Sequence, residues 1–315
     1  MIKKLLIYNS GGGIGDSIQL FPLISSLKNL FEKSEIYYLG AHENHFLGKL
    51  KEYNIEVKNI NLNLKYFGFR WWHLLKVKKN FLKLEMGEFD LIIDCQSKLR
   101  NTVILKQIPT KSFYSSTFKE IFCFGLKESP KNFYYNLKNI DYDIKNITKK
   151  YYEESLKLLP EKNYIGISLT QGNIYRKKEW PLYKFIKLSE ELIKYNKIPV
   201  FFIEKKYQEI KNQIKDSIPS ALFPEHETKL NCPALVTCLA TRLDLAITID
   251  NGIMHMLSLS KVPIVTLFGP TDAEKFAPKY KNSKILDSKK IYNSKNVSDI
   301  TVEDVLQAAR QLVNF

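Results

Sequence analysis

Three short segments carry residue types that handle anions, hydroxyl groups and protons. The first is Gly11-Gly12-Gly13-Ile14-Gly15-Asp16, a run of bare backbone ending in a carboxylate. Glycine lets backbone amides approach a ligand closely, and amides opening a helix attract negative charge. Gly13 and Gly15 are therefore candidates for an acceptor or phosphate loop. Asp16 admits two readings. It caps the first helical turn, or it is a general base that takes the proton of an attacking hydroxyl. The dinucleotide fingerprint G-x-G-x-x-G is broken because Asp16 stands where its third glycine belongs, and no Gly-Lys-Ser/Thr follows. A nicotinamide-dependent oxidoreductase is disfavoured on that ground.

The second segment is Arg176-Lys177-Lys178-Glu179-Trp180-Pro181. Lys178 is the candidate to neutralise a donor diphosphate. Arg176 and Lys177 read as a solvated basic loop and Trp180 as core. The third segment runs from Asp250 to Thr271. Asp250 ends an apolar run, Asn251 and Gly252 turn the chain, and a helix starts near Ile253. The amides of Asn251, Gly252 and Ile253 are placed to receive phosphate oxygens and to stabilise a leaving group. Asp250 suits sugar hydroxyls better than phosphate. His255 either reaches the donor or packs. Gly269, Pro270 and Thr271 form a tight loop bordering the same site. His42, His45, His73 and His226 have no metal-ligand spacing and read as structural or exposed.

Each segment begins where an apolar run ends. Residues 4–8 read as a strand, a helical pattern starts near Ser17, and residues 35–39 read as a second strand. Such a βαβ unit makes its strands parallel. An apolar run at 55–60, a helix over 71–84, a strand at 89–94 and another helix continue the series. The polar stretch 127–146 reads as linker and connecting helix. A second cycle places strands at 164–169, 198–203, 245–249 and 263–268. Its helices fall at 182–195, 234–241 and 253–260, and an amphipathic helix at 301–313 ends the chain. The fold class is α/β, with an N-terminal domain over 1–150 and a C-terminal domain over 151–315. Loops at the carboxyl ends of strands are where open parallel sheets bind ligands.

At 315 residues and 44% hydrophobic content the chain can bury two cores. A net charge of +15 favours polyanions or an acidic membrane surface. Lysines scattered over solvated faces explain the same charge, and that is the stronger reading. Cys95, Cys123, Cys232 and Cys238 form no CxxC pair, so neither a zinc site nor a disulfide framework is expected. The first apolar run is too short for a signal peptide or a spanning helix. The expectation is a reduced, cytoplasmic monomer with no nucleic-acid partner and no obligate protein partner.

Gly13-x-Gly15-Asp16 followed by Pro22, the run Phe89-Asp90-Leu91-Ile92-Ile93-Asp94, and Lys178-x-Trp180-Pro181 occur in that order. Asp250-x-Gly252-x-Met254-His255, leading to Phe268-Gly269-Pro270-Thr271, completes the set. In this order the chain resembles, nearly end to end, the bacterial family 9 glycosyltransferases, the heptosyltransferases that extend the lipopolysaccharide core. The resemblance implies GT-B architecture, two Rossmann-like domains facing across a cleft. It implies inverting transfer with no essential metal and no cofactor beyond a nucleotide-sugar substrate, ADP-heptose. It also implies Asp16 as general base, Lys178 on the diphosphate, Asp250 on the donor sugar, and amides from the turn at Asn251 and Gly252. Glu204 stands in for a family glutamate on the nucleotide ribose.

Two positions depart from the pattern. Asn251 replaces the usual Thr or Ser, and Ile203-Glu204-Lys205 replaces a Gly-Gly-Pro-like turn. The expected acceptor is a lipopolysaccharide-type or other surface glycan at the inner face of the inner membrane, which the protein meets peripherally. The competing reading is a noncatalytic nucleotide or polyanion binder on the same fold. Asp16 argues against it, since a binder of anions gains nothing from a carboxylate beside them.

Overall fold

The computed structural model describes residues 2–137, 141–170, 175 and 177–315. The chain divides into two units, Met1–Asp143 and Ile144–Phe315.

The first unit is built from β1 (Lys4–Asn9), α1 (Ile14–Ile18), α2 (Phe21–Leu30), β2 (Glu35–Gly40), β3 (Lys58–Asn59) and α3 (His73–Leu82). Then follow β4 (Phe89–Asp94), α4 (Leu99–Leu105), β5 (Thr110–Ser115), β6 (Cys123–Phe124) and α5 (Pro130–Asn136). The strands lie in the order β3-β2-β1-β4-β5-β6, parallel except for the antiparallel β5–β6 pair. Leu5, Leu6, Ile7 and Tyr8 of β1 are all buried, because a central parallel strand is covered on both faces. Helix α3 turns His73, Val77 and Phe81 inward at four-residue spacing.

The second unit contains α6 (Lys149–Leu158), β7 (Tyr164–Ser168), α7 (Leu182–Lys194), β8 (Ile198–Phe201), α8 (Gln208–Ser217), α9 (Pro233–Ala240) and β9 (Leu243–Ile249). It continues through α10 (Gly252–Ser258), β10 (Ile264–Phe268), α11 (Ala273–Phe276), β11 (Ser283–Asp287), α12 (Ser288–Tyr292) and α13 (Val302–Arg310). Its sheet is wholly parallel, in the order β11-β10-β9-β7-β8. Helix α13 packs Val305, Leu306 and Ala309 into the same core as Phe185, Leu188 and Leu192 of α7. Two doubly wound α/β units are therefore present, as the alternation of patterns predicts.

Several local expectations are corrected. Helix begins at Ile14 rather than Ser17 and breaks at residues 19–20 before α2. Pro22 in the first turn of α2 explains the restart, since a proline lacking its N–H is accommodated there and not deeper in a helix. Of the apolar run at 55–60 only Lys58–Asn59 pairs as a strand. The strand at 198–203 ends at Phe201. The connecting helix expected within 127–146 is present as α5. Elements α6, α8, β5 and β11 went unanticipated. Helix α8 rests on Ile210, Ile214 and Ile218 alone in an otherwise polar stretch, and edge strand β11 buries only Asp287.

In each sheet the chain reverses direction once. The reversal lies between β1 and β4 in the first and between β7 and β9 in the second. Adjacent loops diverge there and leave a crevice at the carboxyl ends of the strands. Close packing around β7 is tight. A Cβ on Gly166 would lie 2.4 Å from Leu243 Cδ1 and 2.9 Å from Phe202 Cε2. Overpacking of this kind costs about 1–3 kcal/mol. Gly166→Ala should lower the denaturant midpoint accordingly, with Gly166→Val worse, as followed by circular dichroism.

Candidate functional site

At the crevice of the second sheet, the loops leaving β7 and β9 are stitched together by one side chain. Asn251 accepts a hydrogen bond from the Met254 amide through Oδ1 at 2.8 Å, capping α10. Its Nδ2 donates to Ser168 Oγ at 2.7 Å and to the Thr170 carbonyl at 2.9 Å. A serine or threonine could cap the helix with its hydroxyl but has no second donor for both β7 partners. The departure at position 251 therefore supplies a brace. Gly252 and Ile253 follow in the first turn of α10, whose opening amides precede the first intrahelical bonds.

Asp250 is 6% exposed. Its Oδ2 accepts from Thr271 Oγ1 at 2.6 Å and forms an ion pair with Lys178 Nζ, which also donates to the Asp250 carbonyl at 3.3 Å. The two candidates read separately from the sequence, one for diphosphate and one for sugar, thus hold each other. The Lys178 loop is anchored behind them. Trp180 is buried, donates Nε1–H to the Ile300 carbonyl at 2.8 Å, and meets Phe185 edge-on at 4.8 Å. Lys177 has φ +47, a left-handed conformation unusual for a side-chain-bearing residue, and it redirects the chain immediately before Lys178. Arg176 lies outside the described residues.

The loop after β10 closes this cluster. A Cβ on Gly269 would fall 2.5 Å from Val297 Cγ2 and 2.7 Å from the Lys295 carbonyl, so glycine lets that segment pack close. Lys289 Nζ donates to the Thr271 carbonyl. Lys289 was not singled out in the sequence. Thr271 was legible only as part of a turn, and Lys289 carries no local signal at all. His255 is buried within α10.

Glu204 follows β8, about half exposed and paired with Lys206 at 2.9 Å. One loop away, after a residue bridged to β8 (Leu222 to Val200), lies Glu225. Glu225 is 4% exposed, its Oε2 has no hydrogen-bond partner among the described residues, and its acid is pushed up to about 7, first by burial and then by the charge of Glu204. No sequence feature announced it.

The first unit repeats the arrangement at its own crevice. Asp16 is half-buried in α1, and its Oδ2 accepts from the Gly13 amide at 2.9 Å. The capping geometry is thus present. Asn9, at the end of β1, accepts from the Gly11 amide at 3.1 Å and donates to the Asp16 carbonyl at 3.2 Å. A Cβ on Gly11 would lie 2.5 Å from Asp16 Cβ, and one on Gly12 would lie 2.8 Å from the His42 ring. His45 Nε2 sits 3.0 Å from the Gly12 carbonyl. Gly13 is exposed, whereas Gly15 is buried inside α1 and serves packing. Across the crevice Asp94 is wholly buried, accepting from Thr102 Oγ1 at 2.6 Å and Ser115 Oγ at 3.2 Å. Burial raises its acid to about 6.

A cavity of about 460 Å³ opens in the second unit, lined by Thr170, Lys177, Trp180, Tyr207 and Ile210 among others. Lys178 and Asp250 are not among its lining residues, so the charged cluster rather than this cavity marks the candidate site. Among the described residues no group of three or more His, Cys, Asp or Glu is placed to hold a metal ion. Likewise no helix is long and apolar enough to cross a membrane.

The family model described as glycosyltransferase family 9 (heptosyltransferase) matches residues 124–306. The chain is 23% identical to lipooligosaccharide heptosyltransferase 2 of Campylobacter jejuni over 95% of each protein. It is 25% identical to lipopolysaccharide heptosyltransferase 1 of Campylobacter coli over 95% of this chain and 96% of that one. Among solved structures it is similar to a family 9 glycosyl transferase from Veillonella parvula, with a TM-score of 0.69, 17% identity, and 98% and 97% of the two chains covered. It is also similar to ADP-heptose lipopolysaccharide heptosyltransferase II of E. coli, with a TM-score of 0.65, 17% identity, and 99% and 98% covered. These likenesses span both units, and the fold is of the GT-B type.

Two measurements check the energetics of the site. Lys178→Ala leaves Asp250 buried without its cation, and breaking a buried pair costs about 3–5 kcal/mol. The single variant should therefore melt well below the wild type, and Lys178→Ala with Asp250→Asn should recover most of the loss. Glu225 titrates near 7 when folded against 4.5 as the reference. The folded state then holds the proton to higher pH than the unfolded state. Stability from this group is full below pH 4.5 and is lost as pH rises through 7. The total is roughly 3 kcal/mol. Glu225→Gln should flatten that part of the melting-temperature profile and raise stability at pH 8.

Proposed function

The chain belongs to glycosyltransferase family 9, and on that premise we propose that it transfers a heptose or related sugar from a nucleotide-diphosphate donor to a lipopolysaccharide-type acceptor. ADP-heptose is the donor that the relatives' names favour. The reading is carried by the Lys178–Asp250–Thr271 cluster beside the first turn of α10. A cation, a hydrogen-bonding carboxylate and helix-opening amides together match the needs of a sugar diphosphate.

In the proposed reaction Asp16 takes the proton of the acceptor hydroxyl as that oxygen attacks the anomeric carbon. The bond from this carbon to the diphosphate oxygen breaks, and the nucleoside diphosphate leaves with the electron pair. A single displacement inverts the anomeric centre. Charge growing on the leaving group is met by Lys178 and by the amides of Gly252 and Ile253, which perform without a metal the electrostatic work the step requires. Lys178 exchanges Asp250 for phosphate oxygens when the donor arrives, and Asp250 is then released toward the sugar hydroxyls. Glu204, about half exposed beyond β8, is assigned to the ribose.

Asp16→Asn is the decisive variant. Loss of a general base costs about 10²–10⁴-fold in turnover. Turnover of ADP-heptose on a truncated core acceptor should fall by that factor, with donor affinity by calorimetry little changed. Full activity in Asp16→Asn would remove the base assignment, and absence of nucleoside-diphosphate binding by the wild type would remove the donor site. Binding without turnover on any acceptor would favour the noncatalytic reading.

A further inference from the structure

We propose that the aromatic and basic surface of residues 65–83 docks the protein on an anionic lipid surface, next to the loop that carries Asp16. Residues 61–84 hold six basic side chains, Lys65, Arg70, Lys76, Lys78, Lys79 and Lys83, and no acidic one. Among them Trp71 is 59% exposed, Trp72 48%, Leu75 82% and Leu82 58%. Helix α3 buries His73, Val77 and Phe81, so Leu75 and Leu82 lie on its outward side together with exposed Lys78 and Lys79. A helix solvated on that side has no use for two leucines and two preceding tryptophans.

The combination suits the boundary between lipid headgroups and acyl chains. Indole rings settle at the headgroup level, leucines reach slightly deeper, and lysines meet the lipid phosphates of an anionic leaflet. Lys76 Nζ lies 5.0 Å from the Trp72 ring centre and Lys65 Nζ lies 5.5 Å from that of Tyr66, so cation and ring are presented side by side. A second copy of the chain is a poor occupant. A two-fold contact through this patch would oppose six cations with the same six.

The patch adjoins the catalytic loop through His42. That ring, against which Gly12 packs, lies 5.3 Å from Tyr66 and 5.6 Å from Phe69, centre to centre. This half of the inference rests on the proposed function: an acceptor anchored by its lipid would present its hydroxyl beside Asp16 once the patch is seated.

The protein is tested against vesicles of phosphatidylcholine alone and of phosphatidylcholine with phosphatidylglycerol. Its three tryptophans are Trp71, Trp72 and the buried Trp180, so an emission change reports on the patch. The expected result is co-sedimentation with the anionic vesicles only, a blue shift, quenching by brominated acyl chains, and release at high salt. Leu75→Glu with Lys79→Glu should weaken partitioning about tenfold or more. With a soluble truncated acceptor the variant should turn over like wild type, and with a vesicle-embedded acceptor it should be slower. Three results overturn the proposal: no binding to anionic vesicles, equal binding by the variant, or a concentration-dependent dimer that the variant abolishes. Failure of wild type on both acceptors would strike the transferase reading instead, and the vesicle measurements would still decide the docking. Quenching in the wild type decides it even if the variant misfolds.

Discussion

A lysine and an aspartate separated by 72 residues neutralise each other at the β7/β9 crevice, and the second unit's candidate site is organised around that contact. Both side chains are nearly buried, so each has given up water that the other must replace. The surrounding bonds make this tolerable. Thr271 donates to the same carboxylate oxygen, Asn251 braces the two loops, and Trp180 pins the segment that delivers Lys178. In the proposed function an entering phosphate meets a lysine that is already desolvated and oriented.

The first unit solves a different problem with similar means. A carboxylate useful as a base must be held without being hidden. Two glycines, Gly11 and Gly12, bring backbone against Asp16 and His42 at distances no side chain would permit, and Asn9 ties both ends of the turn. Asp16 is anchored by the Gly13 amide and stays half-buried rather than enclosed. Capping the helix and the base role proposed for Asp16 draw on one geometry.

Two buried acids, one in each unit, differ in character. Asp94 is surrounded by hydroxyl and amide donors, while Glu225 has an oxygen with none. Burial raises both, and only the first has polar groups to offset it. The chain's excess positive charge is also unevenly used. Some lysines complete these clusters, and a contiguous set covers the acid-free stretch that includes α3.

The doubly wound α/β class, the main strands and the loops after β1, β7, β9 and β10 were legible in the residues, because apolar runs of strand length and glycine-rich turns are local signals. Asp16, Lys178, Asp250 and Asn251 stood out for the same reason. Which of them touch was not legible. The pairing of Lys178 with Asp250, the bond from Thr271, the burial of Gly15 and Glu225, and the outward side of α3 all depend on the order in which strands lie in the sheet. In the first sheet that order is β3-β2-β1-β4-β5-β6 and in the second β11-β10-β9-β7-β8, neither of them the order of the chain, and in each it brings residues distant in sequence to one rim. Local periodicity determines what each segment becomes. Packing between segments alone determines which polar groups must find a partner and which are left facing water.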